Sequence, residues 1–137
     1  GGIAYNSKDF RGKVDYILSL PVNKLFENAA IKNEDFEKIF NSYKFDKNDF
    51  IFLDPPYDTD FSDYEKEAFD KKDQQRLASC LLKTQARFIL IIKKTRFIYD
   101  LYSDKKGINI ESFEKKYLYN VKGRNIREVR HLIVFNF

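Results

Sequence analysis

The stretch Phe50–Tyr57, with the sequence FIFLDPPY, decides how the rest of the chain is interpreted. Its first four residues are apolar, which is typical of a strand buried on both faces within a parallel sheet. The run ends in an acid and two prolines, and the prolines lack N–H donors and force the chain out of the sheet in an extended turn. We therefore expect Asp54 to lie at the carboxyl end of a central strand, where open α/β sheets bind their ligands.

The residues that follow this strand suit a planar ligand that carries an amine. The carboxylate of Asp54 and the backbone carbonyl of Pro55 can accept the two hydrogens of an exocyclic amine on a nucleobase. Acceptors in these positions stabilise the positive charge that develops when the nitrogen attacks an electrophile. The ring of Tyr57 can stack on the base. Taken alone, the four residues are also compatible with an ordinary turn capped by an acid.

The motif Asp54-Pro55-Pro56-Tyr57 after an apolar strand resembles motif IV of the Dam-type DNA adenine-N6 methyltransferases. The resemblance covers most of the chain from about Asn28 onward and implies transfer of a methyl group from S-adenosyl-L-methionine to a flipped adenine in double-stranded DNA. It implies catalytic roles for Asp54, Pro55, Pro56 and Tyr57, and cofactor binding by Asp35, Phe36 and Asp54. The flanking residues that carry it are Phe61, Tyr64, Phe69, Asp73, Gln74, Leu77, Ala78, Lys115, Lys116, Tyr117, Asn120, Arg124, Asn125, Arg127, Glu128, Val129, His131, Leu132 and Ile133.

The predicted fold class is α/β, and the resemblance makes it the C-terminal half of a Rossmann-like methyltransferase sheet with an antiparallel C-terminal hairpin. A helix capped by Asn33 should bury Ile39, Phe40 and Tyr43. A second helix, residues 71–84 with Asp70 as its cap, should lead into a buried strand over residues 87–92, parallel to the first. The predicted hairpin strands are residues 108–119 and 129–137.

Basic and aromatic residues at three places predict contacts with DNA. The net charge of +4 and the sequence pI near 9.0 favour a polyanion as partner. The candidates lie near the amino terminus, after the second buried strand, and in the hairpin loop, and a solvated surface is the alternative at each place. They are Tyr5, Asn6, Arg11, Lys93, Lys94, Lys122, Arg124 and Arg127.

The glycines predict that the cofactor pocket is incomplete. The chain has five, and none forms a Gly-x-Gly turn after a strand, the usual phosphate-binding fingerprint of such folds. We expect residues 1–27 to be the irregular tail of a target-recognition region and residues 28–137, opening with a short strand over 28–31, to be half of a catalytic domain. The missing N-terminal half of the enzyme is then a required partner, and the chain alone should be inactive.

Other functions remain compatible with the residues. An amino-methyltransferase could act on cytosine N4, on RNA or on a protein amide, although Asp54 favours adenine. A nucleic-acid-binding or specificity module could keep the fold without catalysis. If the protein modifies DNA, a restriction endonuclease is a possible companion.

Composition excludes several other classes. One cysteine rules out a disulfide framework, no residues suggest a metal site, and His131, the one histidine, is expected to be structural. No apolar run approaches 18 residues, so we expect no membrane and a cytoplasmic location. The chain begins with Gly1-Gly2-Ile3 and contains no methionine, so we expect it to be a fragment, a processed piece or a trimmed chain.

Overall fold

The computed structural model describes residues 7–56, 69–117 and 127–137. The chain divides into two compact units, Gly1–Glu34 and Asp35–Phe137. The described part of the chain contains no helix that is both long and apolar enough to cross a membrane.

The first unit contains two helices, α1 (Ser7–Ile17) and α2 (Leu20–Glu27). Pro21 lies in the first turn of α2, where a missing N–H leaves no helical hydrogen bond unmade. The predicted irregular structure is therefore wrong for residues 7–27, and residues 28–31 form no strand. Several large apolar side chains of these helices are exposed, for example Tyr16 at 71%.

A four-stranded sheet organises the second unit, in the order β1-β2-β4-β3. Strands β1 (Phe50–Leu53) and β2 (Arg87–Lys93) are adjacent and parallel, as predicted. Strand β4 (Arg127–Phe135) is antiparallel to β2 on one side and to β3 (Asn109–Tyr117) on the other. The α/β class predicted from the sequence is thus confirmed.

Three helices accompany the sheet: α3 (Phe36–Ser42), α4 (Lys71–Lys83) and α5 (Arg96–Tyr102). The predicted cap of α4 is confirmed, since the Asp70 side chain accepts from the backbone N–H of Lys72 and Asp73 at 2.7 and 3.0 Å. Helix α3 begins later than predicted, with Asp35 as its cap in place of Asn33. It also ends at Ser42, so Tyr43, predicted to be core, is 47% exposed.

The core lies between one face of the sheet and the helices α4 and α5. Its fully buried apolar side chains interlock across the two layers, with Phe36 and Phe40 of α3 packed against the cluster. These side chains are Leu77, Ala78, Leu81, Phe88, Leu90, Ile92, Ile98, Tyr102, Leu132 and Val134.

The opposite face of the sheet is apolar but only partly covered. The prediction that β1 is buried on both faces is wrong, because Phe50 and Phe52 are 53% and 61% exposed while Ile51 and Leu53 pack against the core. Alternate side chains point to opposite faces, and only the face that carries Ile51 and Leu53 packs against the core. Among the described strands β1 pairs with β2 alone, so it lies at the edge of this sheet and not in the predicted central position. The same alternation leaves Ile89 half-buried on β2.

Candidate active site

The predicted catalytic turn leaves the sheet where β1 ends. Asp54 is exposed, Pro55 is half-buried and Pro56 is exposed. Because β1 and β2 are parallel, their carboxyl ends lie at the same edge of the sheet, and β2 ends there with Lys93. The acid and the two prolines therefore face the edge expected for a ligand site. Tyr57, the fourth residue of the motif, lies outside the described residues.

A buried glutamine of α4 holds this turn. The Nε2 atom of Gln74 donates to the backbone carbonyl of Pro56 at 3.0 Å, and the Gln74 side chain is fully buried. Its Oε1 atom is also buried and accepts no hydrogen bond within the described residues. From the sequence, Gln74 was named only among the residues that carry the resemblance, although a further signal was present. Gln74 occupies the apolar stripe of α4, three, four and seven residues before Leu77, Ala78 and Leu81.

The predicted cofactor acid is paired within the protein. Asp35 caps α3, where its Oδ1 accepts from the backbone N–H of Glu37 at 2.9 Å and from Arg76 at 2.8 Å. The hydrogen bond from Arg76 is the main reason that the pKa of Asp35 lies below its usual value of 3.8. Within the described residues we find no hydrogen bond to Asp35 Oδ2, and the side chain is 41% exposed. Oδ1 is therefore engaged, while the side chain as a whole remains partly exposed.

Arg76 is the centre of this cluster, and the sequence analysis did not identify it. Its guanidinium contacts the carboxylates of Glu37 and Asp73, each at 2.7 Å, in addition to Asp35. These hydrogen bonds raise the pKa of Arg76 above its ordinary range. The guanidinium also lies over the ring of Phe36, 4.8 Å from its centroid. Asp73 is a local partner, three residues away on the same helix, but spacing could not reveal Glu37 and Asp35, which are 39 and 41 positions away.

Helix α4 connects the two predicted sites. Gln74 contacts the turn after β1, and Arg76, two residues later, contacts Asp35 and Phe36. Phe69, just before the cap of α4, packs on Phe36 with ring centroids 5.6 Å apart. The predicted catalytic turn and the predicted cofactor segment are thus both positioned by the beginning of α4.

A basic groove lies at the carboxyl end of β2. It has a volume of about 530 Å³ and is lined by Lys94, Thr95, Arg96, Tyr99 and Arg130. The Lys94 ammonium lies 5.5 Å from the centroid of the Tyr99 ring. Lys94 was predicted to contact nucleic acid, whereas Arg96, Tyr99 and Arg130 were missed. Arg130 could not be associated with Lys94 by spacing, because antiparallel pairing of β4 with β2 brings it there.

The groove keeps an excess of positive charge. Arg96 pairs with Asp100 at 3.0 Å and Arg130 with Glu114 at 2.6 Å. The two arginine side chains are 91% and 57% exposed, so solvent weakens both pairs. Among the described residues that line the groove, three are cations and none is a carboxylate, and the lining also includes the Tyr99 ring.

The remaining predicted nucleic-acid residues are scattered. Arg11 is exposed on α1 in the first unit, and Lys93 is half-buried at the end of β2. Arg127 begins β4, where its backbone pairs with Tyr117. Tyr5, Asn6, Lys122 and Arg124 lie outside the described residues.

The burial of His131 favours the structural role expected for it. The residue is 1% exposed on β4, and its ring stacks on Phe113 with centroids 5.3 Å apart. Its Nδ1 atom lies 3.2 Å from the Val129 carbonyl oxygen.

Comparison with known proteins identifies a family that the chain resembles. Residues 11–119 match the family described as D12 class N6 adenine-specific DNA methyltransferase. The chain is 34% identical over 116 residues to the type II methyltransferase M.CviBI of Paramecium bursaria Chlorella virus NC1A, covering 82% of this chain and 43% of that protein. It is 26% identical over 134 residues to the type II methyltransferase M1.LlaDCHI of Lactococcus lactis subsp. cremoris, covering 90% and 45%. The chain thus spans a little under half the length of these curated relatives.

Proposed function

The chain belongs to the D12 class of N6 adenine-specific DNA methyltransferases, and from this we propose that the complete protein containing it methylates adenine N6 at specific sites in double-stranded DNA. The methyl donor would be S-adenosyl-L-methionine. The observation that carries the proposal is the position of Asp54-Pro55-Pro56 at the carboxyl end of a parallel strand, within the part of the chain that matches the family. Both named relatives are type II methyltransferases, so a companion restriction endonuclease is part of the proposal.

The turn after β1 would bind the target amine. An adenine extruded from the duplex would present its amino group to the Asp54 carboxylate and the Pro55 carbonyl, and Tyr57 would stack on the base. The two acceptors would polarise the amine and stabilise the positive charge that develops on N6 during methyl transfer. Asp54 is exposed, which such a role requires.

The segment at the start of α3 would form one wall of the cofactor pocket. Asp35 Oδ2 lies on a side chain that is 41% exposed, so it could accept a hydrogen bond from the cofactor while Oδ1 remains paired with Arg76. Phe36 would offer its ring to the cofactor's adenine, and Asp54 would contribute from the neighbouring turn. When bound, S-adenosyl-L-methionine supplies an activated methyl group.

One feature of the sheet and the length of the relatives support the view that residues 28–137 are half of a catalytic domain. Parallel sheets are normally covered on both faces, yet Phe50 and Phe52 of β1 are more than half exposed. The relatives are also more than twice as long as the part matched by this chain. We propose that the remaining half adds beside β1 to complete a Rossmann-like sheet, and that β3 and β4 form its closing hairpin. Residues 1–27 would then be the tail of the target-recognition region.

The basic groove would bind backbone phosphates next to the extruded base. Its cations Lys94, Arg96 and Arg130 lie at the sheet edge where the catalytic turn ends, and phosphate contacts of this kind set the register of a protein on DNA. Arg11, Lys93, Lys122, Arg124 and Arg127, together with Tyr5 and Asn6, are the further proposed contacts.

Methyl transfer from labelled cofactor to duplex DNA tests the function. The complete protein should incorporate label into DNA, and nucleoside analysis should recover it as N6-methyladenine. Label in N4-methylcytosine, or in RNA in preference to DNA, would favour another amino-methyltransferase. Binding of DNA with no transfer at all would favour a specificity module.

A further inference from the structure

We propose that Gln74 is a positioning residue for methyl transfer, which fixes the orientation of the acceptors in the catalytic turn through its hydrogen bond to Pro56. This role rests on the proposed function. The motif residues would bind the amine, and Gln74 of α4 would hold their turn in the orientation that this binding needs.

The geometry of proline explains how one hydrogen bond can orient the turn. The ring of Pro56 locks its φ angle, so the peptide planes on either side of this residue can change their relative orientation only through ψ. One plane carries the carbonyl of Pro55, the proposed acceptor for the amine, and the other carries the carbonyl of Pro56. The 3.0 Å bond from Gln74 holds the second plane, so ψ of Pro56 is the one torsion that separates the Pro55 carbonyl from a plane of fixed orientation.

Among the described residues, the side-chain hydrogen bond observed to this turn is the one from Gln74. Pro55 and Pro56 have no N–H groups to donate, so the backbone of these two residues contributes only acceptors. Gln74 is a fixed donor because its own backbone N–H donates to the Asp70 carbonyl at 3.0 Å, within the capped first turn of α4. The donor thus comes from a rigid element, as an ordered site requires.

The position of Gln74 argues against a purely structural role. It occupies the buried stripe of α4, where an apolar side chain of the same size would fill the space without an unsatisfied atom. The amide instead leaves Oε1 buried without a hydrogen bond in the described part of the structure, which is unfavourable for folding. The amide forms the hydrogen bond to Pro56, which an apolar side chain could not form.

Replacement of Gln74 by methionine in the complete protein tests this role. Methionine has nearly the same shape and removes the donor. The single-turnover rate of methyl transfer should fall by about 10- to 100-fold, the range expected when reacting groups are misplaced, while the KM for cofactor changes less than about twofold. Gln75→Met is the matched control, since Gln75 is the exposed neighbour on the same helix, and its rate should remain within about twofold of wild type.

A second variant gives a readout that a structural role would not change. In Gln74→Glu the carboxylate cannot donate to the Pro56 carbonyl, whereas the protonated acid can. Burial raises the pKa of such an acid, so protonation should begin within the working range. The rate of Gln74→Glu relative to wild type should therefore rise as the pH falls from about 8 to about 6. Gln75→Glu should show a constant ratio.

The outcomes separate the role of Gln74 from the proposed function. A folded Gln74→Met protein with the wild-type rate, or a pH-independent ratio for Gln74→Glu, overturns the role. If Gln74→Met does not fold, the pH dependence of Gln74→Glu decides. If wild type and Gln75→Met both transfer no methyl group, the proposed function is refuted and this role with it.

Discussion

The guanidinium of Arg76 lies 2.8 Å from the carboxylate of Asp35, so α4 is joined to α3 at the residue that the sequence assigns to the cofactor. The two side chains are 37% and 41% exposed, and a single pair with this exposure contributes little to stability. Arg76 differs from a single pair because it holds three carboxylates and one aromatic ring at the same time. We therefore expect the network, rather than any one contact, to fix the position of Asp35.

Replacing Arg76 by lysine should destabilise the protein. An ammonium cannot reproduce the planar fork that reaches Asp35, Glu37 and Asp73. Thermal unfolding should show a Tm lower by roughly 2–4 °C. Arg96→Lys is the control, because Arg96 makes one i,i+4 pair and is 91% exposed, and its Tm should change by less than about 1 °C. Equal shifts of the Tm in the two variants would show that the Arg76 network does not contribute to the stability of the protein.

Asp70 should make stability depend on pH in the acid range. Hydrogen bonds from the backbone N–H groups of Asp73 and Lys72 lower the pKa of Asp70 below its usual value of 3.8. Because the folded state has the lower pKa, the stabilisation is present above the unfolded value and is lost as the pH falls through the folded one. Asp70→Asn keeps a cap acceptor without this titration.

Urea unfolding of wild type and Asp70→Asn measures that effect. The advantage of wild type in the urea midpoint should be constant between about pH 5 and 7 and should shrink below about pH 4. An advantage that persists unchanged to about pH 2 would contradict the assignment.

Asp54→Ala should abolish most activity of the complete protein. The substitution removes an acceptor from the amine on which charge develops, and the loss of one such preorganised group costs about 10²-fold or more in kcat. The measurement is methyl transfer to duplex DNA under saturating cofactor. Glu111→Ala, an exposed carboxylate on β3, should have no comparable effect. Near-normal turnover in Asp54→Ala would eliminate the proposed role.

Lys94→Ala should weaken DNA binding in a salt-dependent manner. If Lys94 neutralises one phosphate, its loss should reduce the slope of log K against log salt concentration by about 0.9. Titration of a labelled duplex at several salt concentrations gives the slope. The control is Lys83→Ala, which removes an exposed lysine at the C-terminal end of α4 and should leave the slope unchanged. Identical slopes for wild type and Lys94→Ala would show that Lys94 does not contact a DNA phosphate.

The 137-residue chain alone should bind S-adenosyl-L-methionine weakly or not at all. Asp35, Phe36 and Asp54 offer one wall of a pocket, and no glycine turn provides backbone N–H groups for the rest of the ligand. Few contacts must then offset several kcal/mol of lost translational and rotational freedom. Calorimetry decides the matter. A micromolar affinity would show that the pocket is complete within this chain.

The elements that could be predicted are those whose signals are local. The apolar runs of β1 and β2, with a helix between them, predicted their parallel pairing, and Asp70 marked the beginning of α4. Burial was predicted less well, because the exposure of Phe52 depends on what packs against the sheet and not on the residue itself. Helices α1 and α2 were also missed, and several of their large apolar side chains are exposed.

The site was only partly predictable because its supporting contacts are distant in sequence. The motif Asp54-Pro55-Pro56 was recognisable as a local string. Its support by Gln74 comes from 18 positions away, and the pairing of Arg76 with Asp35 spans 41. Nothing in the spacing of these residues distinguishes a partner from a solvated side chain. Gln74 was the exception, since a polar residue within the apolar stripe of a helix itself indicates a specific role for its side chain.

The open side of β1 also affects how this chain behaves in solution. Its outer edge carries backbone N–H and C=O groups that pair with no other described strand, beside the exposed rings of Phe50 and Phe52. Such an edge accepts any extended segment, and flat apolar edges are where proteins aggregate. We propose that β1 pairs with the rest of the enzyme. The same edge would therefore also pair with further copies of this chain. Assembly of the enzyme and precipitation of the isolated chain would then compete for the same backbone hydrogen bonds.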